Sequence, residues 1–144
     1  LQWLPGAHQL GLVPYGEIRE TSETAPTLTF NTLGRHVSRM VYTRITSVKS
    51  PWFASLQAGD VVTVPVSHGE GRFVADDETL AQLAANGQVA TQYVDLEGNP
   101  SGDIAWNPNG SVCAIEGITS GRARPGQDGP LRAQGRKPVP QYTG

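Results

Sequence analysis

At 144 residues the chain is long enough for one domain with its own core, though it buries a smaller share of its surface than a larger domain does. Eleven basic against thirteen acidic side chains, a formal charge of −2, argue against a dedicated nucleic-acid binder, and a lone cysteine excludes an internal disulfide and agrees with a reducing compartment. No apolar run approaches the roughly 20 residues that span a bilayer and no charged-then-apolar leader opens the chain, so the expectation is a soluble cytoplasmic protein with no membrane or nucleic-acid partner.

Thr27 to Phe30 and Val37 to Val48 read as strands from their β-branched and aromatic content, with Ser50-Pro51 closing the second. Trp52, Phe53 and Leu56 suit one helical turn packed on the sheet. Asp60 to Val66 and Arg72 to Ala75 flank a His68-Gly69-Glu70-Gly71 turn, whose glycines free the backbone and leave His68, Glu70 and Arg72 projecting from a rigid base where a small polar ligand can meet them. The plainer alternative is a surface hairpin with an exposed histidine and a solvated Glu70–Arg72 pair.

Asp76 to Gly87 is the clearest helix: acidic residues at its start, leucines on one face, Gly87 at its end. Helix-dipole charge explains Asp76, Asp77 and Glu78 better than a metal or acid–base cluster. Gln88 to Val94 and Ser111 to Ile118 are further strands, divided by turns at Gly98–Gly102 and Asn107–Gly110. Cys113 falls in the second of these, on an alternating strand, where it is expected to be a small apolar core residue. His36 is expected to be an ordinary surface or half-buried histidine, and Arg35 and Arg39, four apart, to share one strand face and steady a carboxylate or stand solvated. Paired close His and Cys spacing for zinc is lacking, so no metal site is assigned. Composition changes at Ser120: residues 121–144 hold four prolines, many glycines and five basic residues against Asp128, which on composition is a flexible basic tail without packed structure.

Three segments in order carry a family resemblance. Asn31-Thr-Leu-Gly34-Arg35-His-Val-Ser-Arg39, then Ser67-His-Gly-Glu-Gly-Arg72-Phe-Val-Ala, then Asn107-Pro108-Asn109-Gly110-Ser111 together resemble the glutaminase domain of phosphoribosylformylglycinamidine synthase, over about Leu10 to Ser120. The resemblance implies part of a class I glutamine amidotransferase-like, flavodoxin-like α/β domain: a strand-rich fragment lacking its leading strands, with an exposed sheet edge and marginal folding. It implies glutamine as substrate and a synthetase region of the same enzyme, using ATP and magnesium, as partner; the fragment itself binds no cofactor. His68 to Arg72 would border the glutamine pocket or the synthetase interface.

The family's nucleophile elbow, a pattern like Gly-Ile-Cys-Asn-Gly-Phe-Gln, and its C-terminal Gly-His-Ser-Glu-Arg pattern are missing from the printed chain, so none of its residues is assigned a catalytic role. Both patterns reappear one base out of frame. A permitted codon choice for Leu1 to Gln9, read one base later, spells Cys-Asn-Gly-Phe-Gln-Ala-Leu-Ile. The same operation from Ser120 onward spells Pro-Asp-Gly-Arg-Val-Leu-Gly-Lys-Met-Gly-His-Ser-Glu-Arg. The expectation is therefore an out-of-frame leader at 1–9, a glutaminase fragment at 10–120 and an out-of-frame tail at 121–144. The alternative from a different class is a small non-enzymatic β-rich module that binds a ligand or partner, with the basic tail as tether.

Overall fold

The computed structural model describes residues 25 to 120. Its spine is strand β2, Val37–Ile45, where Val37, Val41, Thr43 and Ile45 are buried and Ser38, Met40 and Tyr42 are exposed, the period-two pattern of a sheet with one covered face. Strand β3, Val61–His68, pairs with it antiparallel from Val37↔His68 to Arg44↔Val61. On the other side β5, Val89–Tyr93, pairs with the end of β2, and β6, Ile115–Ile118, pairs with β5, giving the order β3-β2-β5-β6. Strands β1, Thr27–Thr29, and β4, Arg72–Val74, form a separate antiparallel pair.

Helix α1, Asp77–Ala85, lies where the acidic start and the leucines place it. Asp76 caps it by accepting a 2.8 Å hydrogen bond from the Thr79 N–H, and hydrogen bonding by the Thr79 side chain, then by that N–H, holds the Asp76 carboxyl below its ordinary range. Leu83 is buried in one apolar cluster with Phe73, Val89 and Ile115, against which Leu28, Leu80 and Ile118 pack. A second cluster joins Val37, Val41, Val66, Tyr93 and Ala114. The described residues thus form the strand-rich portion of an α/β domain, with every strand pairing among them antiparallel.

Five sequence expectations are corrected. β2 ends at Ile45 rather than Val48, because Thr46 and Ser47 both direct their N–H groups to the Ala90 carbonyl and leave the ladder. Trp52 does sit in a short 3₁₀ turn, Pro51–Phe53, but points away from the sheet and is 88% exposed, while Phe53 and Leu56 are half-buried. The His68–Arg72 segment is not a hairpin turn, since β3 and β4 belong to different sheets and the glycine-rich link carries the chain between them. Arg35 lies in a turn before β2, so it shares no strand face with Arg39.

The fifth concerns Cys113, which is exposed and stands outside β6 in the 3₁₀ turn Val112–Ala114, with φ of 51° followed by 55° at Ala114. That left-handed pair brings Ala114 into the core and leaves the thiol outside. His36 is exposed as expected, with its Nε2 3.1 Å from the Ser67 hydroxyl. Residues 1–9 and 121–144, on which the frame readings fall, lie outside the described residues.

Candidate functional site

The three motif segments, separated by dozens of residues in sequence, meet at the end of the β2–β3 ribbon. The Asn31 N–H donates to the Gly69 carbonyl at 2.9 Å, and its side-chain Nδ2 closes its own turn on the Arg35 carbonyl at 2.7 Å. The Thr32 N–H donates to the Asn109 carbonyl at 3.3 Å. Arg72 donates through Nε to the Gly110 carbonyl at 3.2 Å. Each motif is therefore bonded to both others.

Within the third segment, Asn107 reads the Ser111 backbone twice, accepting its N–H at Oδ1 (3.1 Å) and donating Nδ2 to its carbonyl (2.9 Å). Asn107, Asn109 and Ser111 are all buried, and Pro108 is packed beside them without exposure. The Ser111 hydroxyl accepts the Phe73 N–H at 3.0 Å and donates to the Gly71 carbonyl at 3.4 Å, fastening the start of β4. Buried amides that saturate backbone groups in this way fix turns more rigidly than apolar contacts do, because each missing bond would strand a desolvated polar atom.

Two glycines are required by close approach. A Cβ on Gly71 would lie 2.0 Å from the His68 ring, and one on Gly110, whose φ is +71°, would lie 2.7 Å from Thr32. Gly34, at φ +64°, serves its turn through conformation alone. Gly69 has open space around it.

The side chains expected to project divide. His68 is half-buried with Nδ1 enclosed and unpartnered, Arg72 is half-buried and anchored as described, and Glu70 is exposed. Arg39, which is exposed, donates to the Ala105 carbonyl at 2.8 Å and so ties β2 to the loop before the third motif. Asn31 Oδ1 and Asn109 Oδ1 are also enclosed without a partner.

Sequence reasoning missed Tyr93. Its hydroxyl accepts a 2.7 Å hydrogen bond from Asn109 Nδ2 beneath the junction. Burial, reinforced by the negative charge of Glu116 and opposed by the Asn109 bond, pushes its ionisation well above the usual tyrosine range. The signal was present but weak: a tyrosine on a buried strand needs a partner for its hydroxyl. The Thr91 hydroxyl donates to Glu116 at 2.5 Å nearby.

Among the described residues no three His, Cys, Asp or Glu side chains group closely enough to hold a metal, and no helix is long and apolar enough to cross a membrane. Cys113 has its carbonyl bonded by Gln92 Nε2 at 2.9 Å.

Comparison with known proteins agrees with the motifs. The family model described as a CobB/CobQ-like glutamine amidotransferase domain matches residues 7–125. Proteins named phosphoribosylformylglycinamidine synthase subunit PurQ are similar to the chain: that of Halobacterium salinarum is 36% identical over 118 residues, 81% of this chain and 52% of its own length. That of Rhodospirillum rubrum is 38% identical over 120 residues, 83% and 51% of the two chains, and that of Thermomicrobium roseum 42% over 82 residues, 57% and 34%. The chain spans about half the length, or less, of these relatives. It belongs to the glutamine amidotransferase family so described.

Proposed function

We propose that this chain is a piece of the glutaminase portion of phosphoribosylformylglycinamidine synthase. That portion releases ammonia from glutamine for the ATP-dependent conversion of formylglycinamide ribonucleotide to its amidine in purine biosynthesis. The observation that carries this is the mutual bonding of the three motif segments in a chain whose similar proteins bear that enzyme's subunit name. Glutamine is the substrate, the synthetase region is the partner and the place for ATP and magnesium, and the cytoplasm is the compartment.

The chemistry needs a thiolate that attacks the glutamine carboxamide carbon and a histidine that protonates the departing ammonia. Water then cleaves the thioester to glutamate. We place that cysteine and histidine, with the glutamate that orients the histidine, in the shifted frames at the two ends, so the chain as printed is inactive. His68, Gly69, Glu70, Gly71 and Arg72 border the glutamine pocket or face the synthetase region and take no part in proton transfer.

Genomic sequence across the Gln9–Leu10 and Ser120–Gly121 junctions tests the displacement, and in-frame codons without displaced bases would end it. Purified chain is expected to show no glutaminase activity and no labelling of Cys113 by a glutamine-analogue electrophile. Labelling of that thiol with protection by glutamine would overturn the assignment.

A further inference from the structure

The alternation that buries Val37, Val41 and Ile45 turns Met40, Tyr42 and Arg44 to the other face of the β2–β3 ribbon, opposite Pro65, Thr63 and Val61 of β3. An antiparallel face open to water ordinarily carries polar side chains. Here Met40, Tyr42 and Val61 are 57, 37 and 47% exposed, Pro65 is exposed beside Met40, and no strand position on this face holds Asp, Glu or Lys. Trp106, half-buried at the end of the loop before the third motif, sets its ring 6.3 Å from that of Tyr42.

Two arginines frame this apolar strip. Arg39 directs Nη2 to the carbonyl of Ala105, the neighbour of Trp106, at 2.8 Å, and Arg44 reaches the Gly98 carbonyl and Gln92 Oε1 at 3.3 and 3.4 Å. Those acceptors are neutral, so both guanidinium charges stay available to a partner. Tyrosine, tryptophan, methionine and arginine in the absence of Lys, Asp and Glu is the composition of a protein-binding surface, and a ribbon face gives a small ligand no enclosure. Resting on the function proposed above, we propose that this outer face is where the synthetase region docks, through a segment that lays apolar side chains on Met40, Tyr42 and Trp106 and carboxylates against Arg39 and Arg44.

Charge selects this occupant. A second copy would bring the same arginines and no carboxylate from the same face, so the face is not complementary to itself. Residues 121–144 hold five basic side chains against Asp128 and bring the same sign. At its other end the face closes on His36, whose Nε2 lies 3.1 Å from the Ser67 hydroxyl, beside the Val37–His68 pair. The docking face therefore runs up to the motif junction, and a partner seated on it borders the residues proposed to face the synthetase.

The test titrates the full chain against the purified synthetase encoded in the same genome. Tyr42→Ala is expected to weaken binding about tenfold or more and Met40→Glu at least as much, while Trp52→Ala, at an exposed aromatic of the far connection, is expected to change it less than about twofold. Arg39→Gln is expected to slow association and to flatten its salt dependence. A photo-cross-linking side chain at position 40 is expected to capture the synthetase and one at position 52 is not, a readout that holds whether or not a weakened variant folds. Unchanged binding in the Met40 and Tyr42 variants, or capture from position 40 of a second copy or of the chain's own residues 1–24, would overturn the docking face and leave the glutaminase reading standing. A synthetase that fails to bind the parent chain at all would sink the partner assignment and the face with it.

Discussion

The two ends of the β2–β3 ribbon are built by opposite means. At the Val37–His68 end, buried asparagine side chains hold backbone groups of their own turns, the Ser111 hydroxyl holds the start of β4, and glycines admit close packing. At the Arg44–Val61 end the connection bonds mainly to its own backbone: the Ile45 N–H donates to the Asp60 carbonyl and the Gly59 N–H returns to the Ile45 carbonyl, at 2.9 and 2.8 Å. Side chains at the first end are part of the scaffold and at the second are largely replaceable. Such an investment of buried polar groups is what positions a site.

The sharpest way to break this contrast is Asn107→Ala. It strands the N–H of buried Ser111 and removes one of the two bonds to its carbonyl, which still accepts the Ala114 N–H at 3.3 Å; at roughly 1–3 kcal/mol for the desolvated N–H and about 0.5–1.5 kcal/mol for the lost bond, the cost is about 1.5–4.5 kcal/mol, a large part of an ordinary domain's stability. Urea denaturation checks it, and a loss under about 1 kcal/mol would mean the junction tolerates its own disassembly. Next in size is Gly71→Ala, where the new methyl drives the His68 ring from its place at about 1–3 kcal/mol of overpacking. Gly69→Ala, two residues away in open space, is the control and is expected to stay within about 0.5 kcal/mol.

Tyr93 adds a pH signature. Because its ionisation is raised in the folded state, its contribution is intact below the unfolded value near 10 and is lost as pH climbs from there through the folded value. Tyr93→Phe is expected to cost about 1–3 kcal/mol at neutral pH, since Asn109 Nδ2 loses its partner, and to flatten the decline above pH 10. An unchanged alkaline profile in the variant would assign that decline elsewhere. A smaller effect of opposite sign is expected at Cys113: glycine accepts its φ of 51° without the left-handed penalty, so Cys113→Gly is expected to stabilise by about 1 kcal/mol in thermal melts.

Elements with a local physical signature were legible in the sequence. The acidic start of α1, the alternation of β2 and the glycine-bearing turns can all be read from nearest neighbours. The motif segments were legible as a set, but their bonding was not, since Asn31 to Gly69 and Arg72 to Gly110 are tertiary facts. The Cys113 error has a clear cause. Ser111 to Ile118 alternates as a strand should, yet the Asn107–Ser111 bonds fold its first half into a turn, and a local pattern yielded to a buried polar anchor. Likewise a period-two run flanking a glycine-rich link does not reveal that its two halves enter different sheets.

The smallest expected effect is the most direct check on the far end of the ribbon. A tryptophan beside a proline in a short turn reads from sequence as an anchor, and large aromatic burial commonly contributes several kcal/mol when removed. Here Trp52 is 88% exposed, and the turn is held by the Ser50 carbonyl accepting the Phe53 N–H at 3.0 Å and by half-buried Phe53 and Leu56. Trp52→Ala removes side-chain surface that remains in water in the folded state, so its free energy of unfolding is expected to stay within about 0.5 kcal/mol of the parent. A loss of several kcal/mol in urea titration would show that the indole is covered in solution, and the far end could no longer be treated as the replaceable one.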